Sequence, residues 1–232
     1  IIKGFIMTQI AGVDLGEYHS VTDVFLEACD KYAQKPAFSC MGQTLSFTEM
    51  ERLTANFASY LQNHTDLMVG DRIAIQLPNV LQFPIAVFGA MRAGMVVVNT
   101  NPLYTVREME HQFNDSGAKA LLILANMASL AEQVVPKTGI KHVIVTELAD
   151  MHPFAKRLLI NTVVKRVKKM VPAYALPQAL SFRETLALGA KKAPVAEPLT
   201  LDDTAVLQYT GGTTGVSKGA QLLHKNLVAN MM

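Results

Sequence analysis

The sequence predicts an α/β fold, a largely parallel β-sheet covered by helices. Half of its 232 residues are apolar, so the chain can bury a large core. Between residues 72 and 145, short apolar runs alternate with helical patterns, an order typical of α/β sheets. The runs are rich in Val, Ile and Leu, as expected of strands that are buried on both faces. They are Ile73–Leu77, Met95–Val98, Ala120–Leu124, Val143–Val145 and Ala205–Gln208.

Helices are predicted where Ser or Thr precedes an acidic residue by three positions, because the two side chains then cap the first turn reciprocally. The pairs are Ser46–Glu49, Thr105–Glu108, Ser181–Glu184 and, more weakly, Ser20–Asp23. The helix after Ser46 has one apolar face, formed by Met50, Leu53, Phe57, Ala58 and Leu61. The helix after Thr105 is predicted to end near Gly117, since glycine is a common C-terminal stop.

Composition excludes several classes of protein. The formal net charge of +2 is too small to imply a nucleic-acid-binding protein, and none is expected. Cys29 and Cys40 suggest neither a zinc site nor a disulfide framework, and we expect reduced thiols in a cytosolic protein. No apolar run reaches the roughly 18 residues of a membrane span, and the N-terminus lacks the pattern of a signal peptide. Because the chain starts with Ile1, we expect a piece of a longer protein or a chain with a cloning remnant.

Residues 151–200 are predicted to form a basic amphipathic helix followed by a connector that contains four prolines, Pro172, Pro177, Pro194 and Pro198. Six Lys or Arg residues and no acidic residue lie from Lys156 to Lys169. The predicted apolar stripe is Ile160, Val163, Val164, Val167 and Val171, and the basic side is Lys165, Arg166, Lys168 and Lys169. Two interpretations stay open: a surface helix with a solvated basic face, which is favoured, and a peripheral contact of residues 156–169 with an anionic membrane.

The stretch YTGGTTGVSKG, residues 209–219, has the composition of a phosphate-binding loop. Its glycines let backbone N–H groups approach an anion, its threonines add hydroxyl donors, and Lys218 adds a mobile positive charge. The order Gly-Lys-Ser/Thr of a Walker A loop is absent, which argues against a P-loop kinase or GTPase. A flexible linker is the less favoured alternative.

This stretch resembles the phosphate-binding signature of the acyl-adenylate-forming superfamily, which includes acyl-CoA synthetases, peptide-synthetase adenylation domains and luciferases. The general signature is Tyr-Thr-Ser-Gly-Thr-Thr-Gly-x-Pro-Lys-Gly, from which Gly211 and Ser217 depart. The Gly-Gly version and residues 70–122 are similar to bacterial long-chain fatty-acid–CoA ligases. The resemblance runs from about residue 18 to the end of the chain. It implies the N-terminal part, residues 1–232, of the large acyl-adenylate-forming domain.

The resemblance implies a reaction in two steps. A fatty-acid carboxylate attacks the α-phosphorus of ATP, giving an acyl-adenylate and pyrophosphate. The thiol of coenzyme A then attacks the activated acyl carbon, which forms the thioester and releases AMP. ATP, Mg²⁺ and coenzyme A are the implied cofactors and co-substrates. Thr213 and Lys218 are carried over as catalytic, and Thr213 also as the ligand of Mg²⁺. The implied nucleotide-binding residues are Tyr209, Thr210, Gly211, Gly212, Thr213, Thr214, Gly215, Val216, Ser217, Lys218, Gly219 and Ala220.

The family's adenine pocket, ribose-binding aspartate, hinge and mobile C-terminal domain are expected downstream, so this chain is not expected to complete a catalytic cycle. A cytoplasmic enzyme that acts on fatty acid, ATP and CoA is expected, with a homodimer as an open alternative to a monomer. Two other functions stay open. One is a ligase for a different carboxylic acid, and the other is a catalytically incomplete fragment that binds nucleotide or membrane.

Other polar residues are given mainly structural interpretations. His224 is interpreted as a packing residue at a helix start in preference to a general base, and Leu223 stands where the family often has a polar cap. His111 lies on a helix among residues that look structural. The pair Asp71–Arg72 is interpreted as a surface or turn pair. Most of the twelve methionines are interpreted as core residues.

Overall fold

The computed structural model describes residues 15, 17–210 and 217–232. Its strands are β1 (Pro36–Cys40), β2 (Gln43–Ser46), β3 (Arg72–Gln76), β4 (Val96–Asn99), β5 (Ala118–Leu124), β6 (His142–Thr146), β7 (Leu180–Ser181), β8 (Thr204–Thr210) and β9 (Lys218–Leu223). Its α-helices are α1 (Val21–Lys31), α2 (Phe47–Asn63), α3 (Gln82–Arg92), α4 (Val106–Ser116), α5 (Ala128–Val134), α6 (Phe154–Thr162), α7 (Phe182–Gly189) and α8 (His224–Met231).

The predicted sheet is confirmed. Seven strands pair in the order β7-β6-β5-β3-β4-β8-β9, and β1 and β2 form a separate antiparallel hairpin. All neighbours in the large sheet are parallel except β8 and β9. The five predicted runs form β3, β4, β5, β6 and β8, each near the middle of the sheet, because their residues are apolar on both faces.

Helices cover both faces of the sheet. One core packs α1, α2, α3, α7 and α8 against side chains such as Ile73, Ile75 and Val97. The other packs α4 and α5 against Ala74, Val98 and Leu121, which alternate with the first set along the strands. The result is three layers, with the parallel sheet in the middle.

The predicted helix starts are also confirmed. The side chains of Ser20, Ser46, Thr105 and Ser181 each accept a hydrogen bond from the backbone N–H three residues on. In return, the acidic side chain at that position accepts one from the backbone N–H of the cap residue. On α2, the predicted apolar face is buried. The helix α4 ends at Gly117, whose φ of +63° is the left-handed conformation that glycine adopts readily.

Residues 151–200 depart in part from the prediction. The helix α6 is followed by a π-helical turn at Val163–Val167, so the expected stripe is not continuous. Val167 is 69% exposed, whereas the other stripe residues are half-buried. The basic residues Lys165, Arg166, Lys168 and Lys169 are all exposed, as predicted. The connector contains β7 and α7, and Phe182 of α7 is fully buried against the ring of Phe57.

The interpretation of most methionines as core residues holds for six of the eleven described ones, because Met127 and Met151 are partly buried and pack against the core. Four of them, Met50, Met91, Met95 and Met109, are buried, and five are exposed: Met41, Met68, Met170, Met231 and Met232. Cys29 and Cys40 are free thiols. Burial raises the pKa of the Cys29 thiol to about 11, so it stays protonated at neutral pH.

Candidate phosphate-binding site

The candidate site lies at one end of the sheet, where β8 leads into the Gly/Thr-rich loop. The strand β9 follows the loop and is antiparallel to β8. Tyr209 faces Gly219 and Thr210 faces Lys218 in this hairpin. The loop therefore follows the carboxyl end of a strand that is parallel to β4, the edge at which open α/β sheets bind ligands.

Half of the predicted site residues lie outside the described residues: Gly211, Gly212, Thr213, Thr214, Gly215 and Val216. Thr213, the expected magnesium ligand, is among them. Of the remaining six, Thr210, Lys218 and Ala220 are exposed, Ser217 and Gly219 are half-buried, and Tyr209 is buried. The hairpin thus holds a hydroxyl and an ammonium group opposite each other at the base of the loop.

Tyr209 has a structural setting that the sequence did not predict. Its hydroxyl donates a hydrogen bond of 2.6 Å to Asp115 Oδ2 on α4. Burial, and then this carboxylate, raise the pKa of Tyr209 well above its usual range. The ring lies against Gly219, where an added Cβ would come within 2.9 Å of the ring carbon Cζ. Glycine at position 219 therefore lets the ring pack beneath the return strand.

The other end of the loop also touches α4. His111 Nε2 lies 3.1 Å from the carbonyl oxygen of Ser217. Because a carbonyl oxygen only accepts hydrogen bonds, this contact requires a hydrogen on Nε2. The sequence placed His111 among structural residues and gave no role to Asp115. Their spacing of four residues on a predicted helix was the one available signal that they share a face.

Amide side chains lie at the carboxyl ends of the neighbouring strands. Asn99 Nδ2 donates to Gln208 Oε1 at 3.0 Å across β4 and β8, and Gln112 Nε2 of α4 donates to the Asn99 carbonyl at 2.8 Å. Buried acceptor oxygens of Gln76, Asn99 and Gln112 have no hydrogen-bond partner within the described residues. These amides tie α4, β4 and β8 together next to the loop.

His224 is confirmed as a packing residue. It is the first residue of α8 and is buried, and its Nδ1 accepts a hydrogen bond of 3.1 Å from the backbone N–H of Val21. Burial lowers the pKa of His224, against the opposing effect of the carboxylates of Asp203 and Asp23. The neutral imidazole therefore joins the start of α1 to the start of α8.

The interpretation of Asp71–Arg72 as a surface or turn pair is confirmed for the turn, since the Asp71 N–H donates to the Met68 carbonyl at 2.9 Å, but the aspartate is not at the surface. Asp71 is buried at the amino end of β3, the edge opposite the loop, and its Oδ1 lies 2.8 Å from Lys119 Nζ. Burial alone would raise the pKa of Asp71, but hydrogen bonds from Lys119 and from the backbone N–H of Met68 hold it below its usual value. Arg72 Nε donates to the Ser116 carbonyl. The pair supports the fold.

The described residues of the candidate site offer hydrogen-bond donors. The described ranges contain no group of three or more His, Cys, Asp or Glu side chains that could hold a metal ion. Mg²⁺ that is bound together with substrate phosphates takes most of its ligands from phosphate oxygens and water and only a few from protein. The hydroxyl of Thr210 and the ammonium of Lys218 are donors of the kind that phosphate oxygens accept from, whereas Thr213, the expected magnesium ligand, lies outside the described residues.

Comparison with known proteins reveals close relatives. The chain is 49% identical over 219 residues to a long-chain-fatty-acid–CoA ligase of Haemophilus influenzae, an alignment that covers 94% of this chain and 39% of the relative. It is 50% identical over 214 residues to the ligase of the same name from Escherichia coli O157:H7, covering 92% and 38%. The chain thus spans about two fifths of the length of the curated relatives it matches.

Solved structures agree on the fold. A long-chain-fatty-acid–CoA ligase from Archaeoglobus fulgidus matches with a TM-score of 0.69 and 25% identity, covering 91% of this chain and 38% of that one. An anthranilate–CoA ligase in complex with anthranoyl-AMP matches with a TM-score of 0.74, 18% identity, and coverage of 92% and 37%, which shows the fold alone. The sequence profile described as "AMP-binding enzyme" matches residues 25–232. On this evidence, the chain belongs to the family of AMP-binding enzymes.

Proposed function

We propose that this chain is part of a ligase that converts a long-chain fatty acid, ATP and CoA into acyl-CoA, AMP and pyrophosphate through an acyl-adenylate. The identity of 49–50% to long-chain-fatty-acid–CoA ligases over more than nine tenths of the chain carries the proposal. Within that reaction, the chain supplies the loop that binds the phosphates of ATP.

The first step brings two anions together, so its main requirement is neutralisation of phosphate charge and in-line positioning. The exposed Lys218 ammonium would offset charge on the β- and γ-phosphates, and the Thr210 hydroxyl opposite it would donate a hydrogen bond. Thr213 and Thr214 would add hydroxyl donors. The magnesium ion, for which Thr213 is the proposed protein ligand, would neutralise further phosphate charge.

Lys218→Ala tests this role in the enzyme that carries the chain. Loss of one phosphate donor removes on the order of 2–4 kcal/mol of transition-state stabilisation, so adenylation measured by ATP–pyrophosphate exchange should fall ~30- to 1000-fold. Thioester formation from supplied acyl-adenylate should change little. Lys191→Ala, at another exposed lysine, is the matched control. Equal losses in both half-reactions would contradict the assignment.

Thr213→Val tests the proposed protein ligand of the magnesium ion. The variant should raise the magnesium concentration that adenylation requires.

The chain length of the acid is tested separately. A panel of long-chain, medium-chain and aromatic acids, compared by kcat/KM, should favour the long chains; a preference for another class would establish a ligase of different specificity. For the catalytically incomplete alternative, the 232-residue chain itself is titrated with magnesium–ATP, and strong binding would contradict the expectation that this chain holds few of the nucleotide contacts. Isothermal titration should show weak binding if the remaining nucleotide contacts lie elsewhere in the enzyme.

A peripheral contact with an anionic membrane is the second part of the proposal, for an enzyme located in the cytoplasm. Within the described ranges, no helix is long and apolar enough to cross a bilayer. Around α6, however, Phe154, Leu158 and Leu159 are exposed and lie close in sequence to the exposed basic residues 165, 166, 168 and 169. Exposed apolar and basic side chains together are typical of helices that bind the membrane interface.

The oligomeric state of the enzyme is a separate question. Analytical ultracentrifugation would decide between the monomer and the homodimer.

A further inference from the structure

The helix α4 contacts both described ends of the candidate phosphate loop. On the outgoing side, the Tyr209 hydroxyl donates to Asp115 at 2.6 Å. On the return side, His111 lies 3.1 Å from the carbonyl of Ser217, the residue before β9. His111 and Asp115 are one helical turn apart, so a single face of α4 meets the chain where it leaves the sheet and where it comes back.

The helix itself is fixed to the rest of the fold. Its first turn is closed by the capping box of Thr105 and Glu108. Met109 and Phe113 are fully buried against the sheet. Gln112 adds a hydrogen bond to the Asn99 carbonyl at the end of β4. A helix held in this way can fix the position of a neighbouring loop, because it has little freedom to move with it.

The two contacts differ in chemistry. The bond from Tyr209 is part-buried and ends on a carboxylate, and hydrogen bonds to charged acceptors are of the stronger, charge-assisted kind. The contact of His111 is to a backbone carbonyl, so it depends on the position of the main chain at Ser217 and not on which side chain stands there. Two anchors on opposite sides of a loop restrict it more than either one alone.

We propose that Asp115 and His111 are positioning residues that hold the two ends of the phosphate loop at the spacing required by the phosphates of ATP. This inference rests on the proposed function for its consequence in catalysis, but the contacts themselves are testable without nucleotide. Neither residue touches the reacting atoms; both act through Tyr209 and Ser217.

The first test is hydrogen exchange on the nucleotide-free protein, read in β8 (204–210), in residues 217–223 and, for comparison, in β5. Tyr209→Phe removes the hydroxyl and keeps the ring, and His111→Ala removes the donor. Each should speed exchange at the hairpin about tenfold, as expected for loss of one such hydrogen bond, with β5 unchanged. His111→Gln keeps an N–H donor and should stay close to wild type. Unchanged hairpin exchange, or an equal increase in β5, would overturn the proposal.

The second test measures catalysis by the enzyme that carries the chain. Tyr209→Phe, His111→Ala and Asp115→Ala should each raise the KM for ATP in ATP–pyrophosphate exchange about tenfold, and leave the KM for fatty acid unchanged. Glu110→Gln, on the same helix but paired with Lys137, is the matched control and should behave as wild type. An unchanged KM for ATP in all three variants would overturn the role in positioning. If the wild type shows no ATP-dependent exchange, the proposed function fails while hydrogen exchange still decides on the two anchors.

Discussion

The two ends of the large sheet are built differently. At the β9 end, β8 and β9 pair over most of their length, and α4 holds Tyr209 and Ser217 on either side of the loop. At the β7 end, the edge strand has only two residues, and α6 nearby has no buried residue. Both ends carry lysines, but Lys218 stands on an anchored hairpin, whereas the basic residues after α6 stand beside exposed apolar side chains.

The difference between the two ends of the sheet matches two different requirements for binding phosphate groups. A soluble polyphosphate needs a few donors at fixed positions, which is the role proposed for the β9 end. A membrane presents many phosphates at variable positions and also an apolar interior, so loosely held charges with exposed apolar neighbours suit it better. This contrast underlies our proposal that the positive charge binds nucleotide at the β9 end and lipid at the β7 end.

The largest expected effect concerns the β7 end. Each basic residue near an anionic surface contributes about 1 kcal/mol, so changing Lys165, Arg166, Lys168 and Lys169 together to Gln should remove about 4 kcal/mol of membrane affinity. In liposome flotation with vesicles of phosphatidylglycerol and phosphatidylcholine, the wild type should float and the variant should stay at the bottom. Leu158→Ser with Leu159→Ser should also reduce flotation, since both side chains are exposed.

A matched variant distinguishes the effect of where the basic residues lie from the effect of the lost net charge. Changing Lys31, Lys35, Lys137 and Lys191 to Gln removes the same charge from other exposed positions and should leave flotation largely unchanged. Equal losses in both charge variants, or flotation on purely zwitterionic vesicles, would indicate a nonspecific effect. Two other basic residues of the segment make internal contacts: Lys156 Nζ donates to the Met41 carbonyl at 2.8 Å, and Arg157 lies over the ring of Phe154.

A smaller effect is expected from Gly219→Ala at the β9 end. The new Cβ would come within 2.9 Å of a Tyr209 ring that is held by Asp115, so the ring or the strand must shift. Overpacking of this kind costs about 1–3 kcal/mol of the free energy of unfolding. Urea denaturation of this variant and of Gly139→Ala gives the comparison, because a Cβ at Gly139 meets only the Ala118 carbonyl at 3.7 Å. Equal stability of the two variants would mean that Tyr209 is not tightly held.

The parts of the fold set by local patterns were predictable. Capping boxes at Ser46, Thr105 and Ser181 depend on residues three positions apart, and the structure has all of them. The five central strands were predictable because burial on both faces leaves runs of Val, Ile and Leu. The π-helical turn at Val163–Val167 was missed, because an apolar stripe drawn on a regular helix assumes a regular helix throughout.

The loop of the candidate site was predictable from the sequence, but the residues of α4 that contact it were not. The glycines, threonines and lysine of residues 209–219 are adjacent in sequence, so they form a recognisable pattern. The contacts of Asp115 with Tyr209 and of His111 with Ser217 join residues about a hundred positions apart, and one sequence does not reveal such pairs. Burial of Asp71 was missed for the same reason, since its partner Lys119 lies on another strand.

The smallest expected effect concerns the start of α8, directly after β9. Leu223 occupies the cap position with φ −83° and ψ 161°, close to the −75° and 166° of Ser46. Half of a capping box is already present, because Asn226 Oδ1 accepts a hydrogen bond from the Leu223 N–H at 2.9 Å. What is missing is a side-chain acceptor at position 223 for the N–H groups of the first turn.

Leu223→Ser should supply that acceptor, and Leu223→Ala is its matched control because both remove the same half-buried leucine side chain. The serine variant should exceed the alanine variant by about 1 kcal/mol in the free energy of unfolding, the usual difference between these residues at a helix N-cap. Because both variants lose the same leucine contacts, the difference between their free energies of unfolding measures the contribution of the serine cap. Equal unfolding free energies would show that the entry of the chain into α8 is fixed by other contacts, of which the buried bond between His224 and Val21 is the strongest candidate.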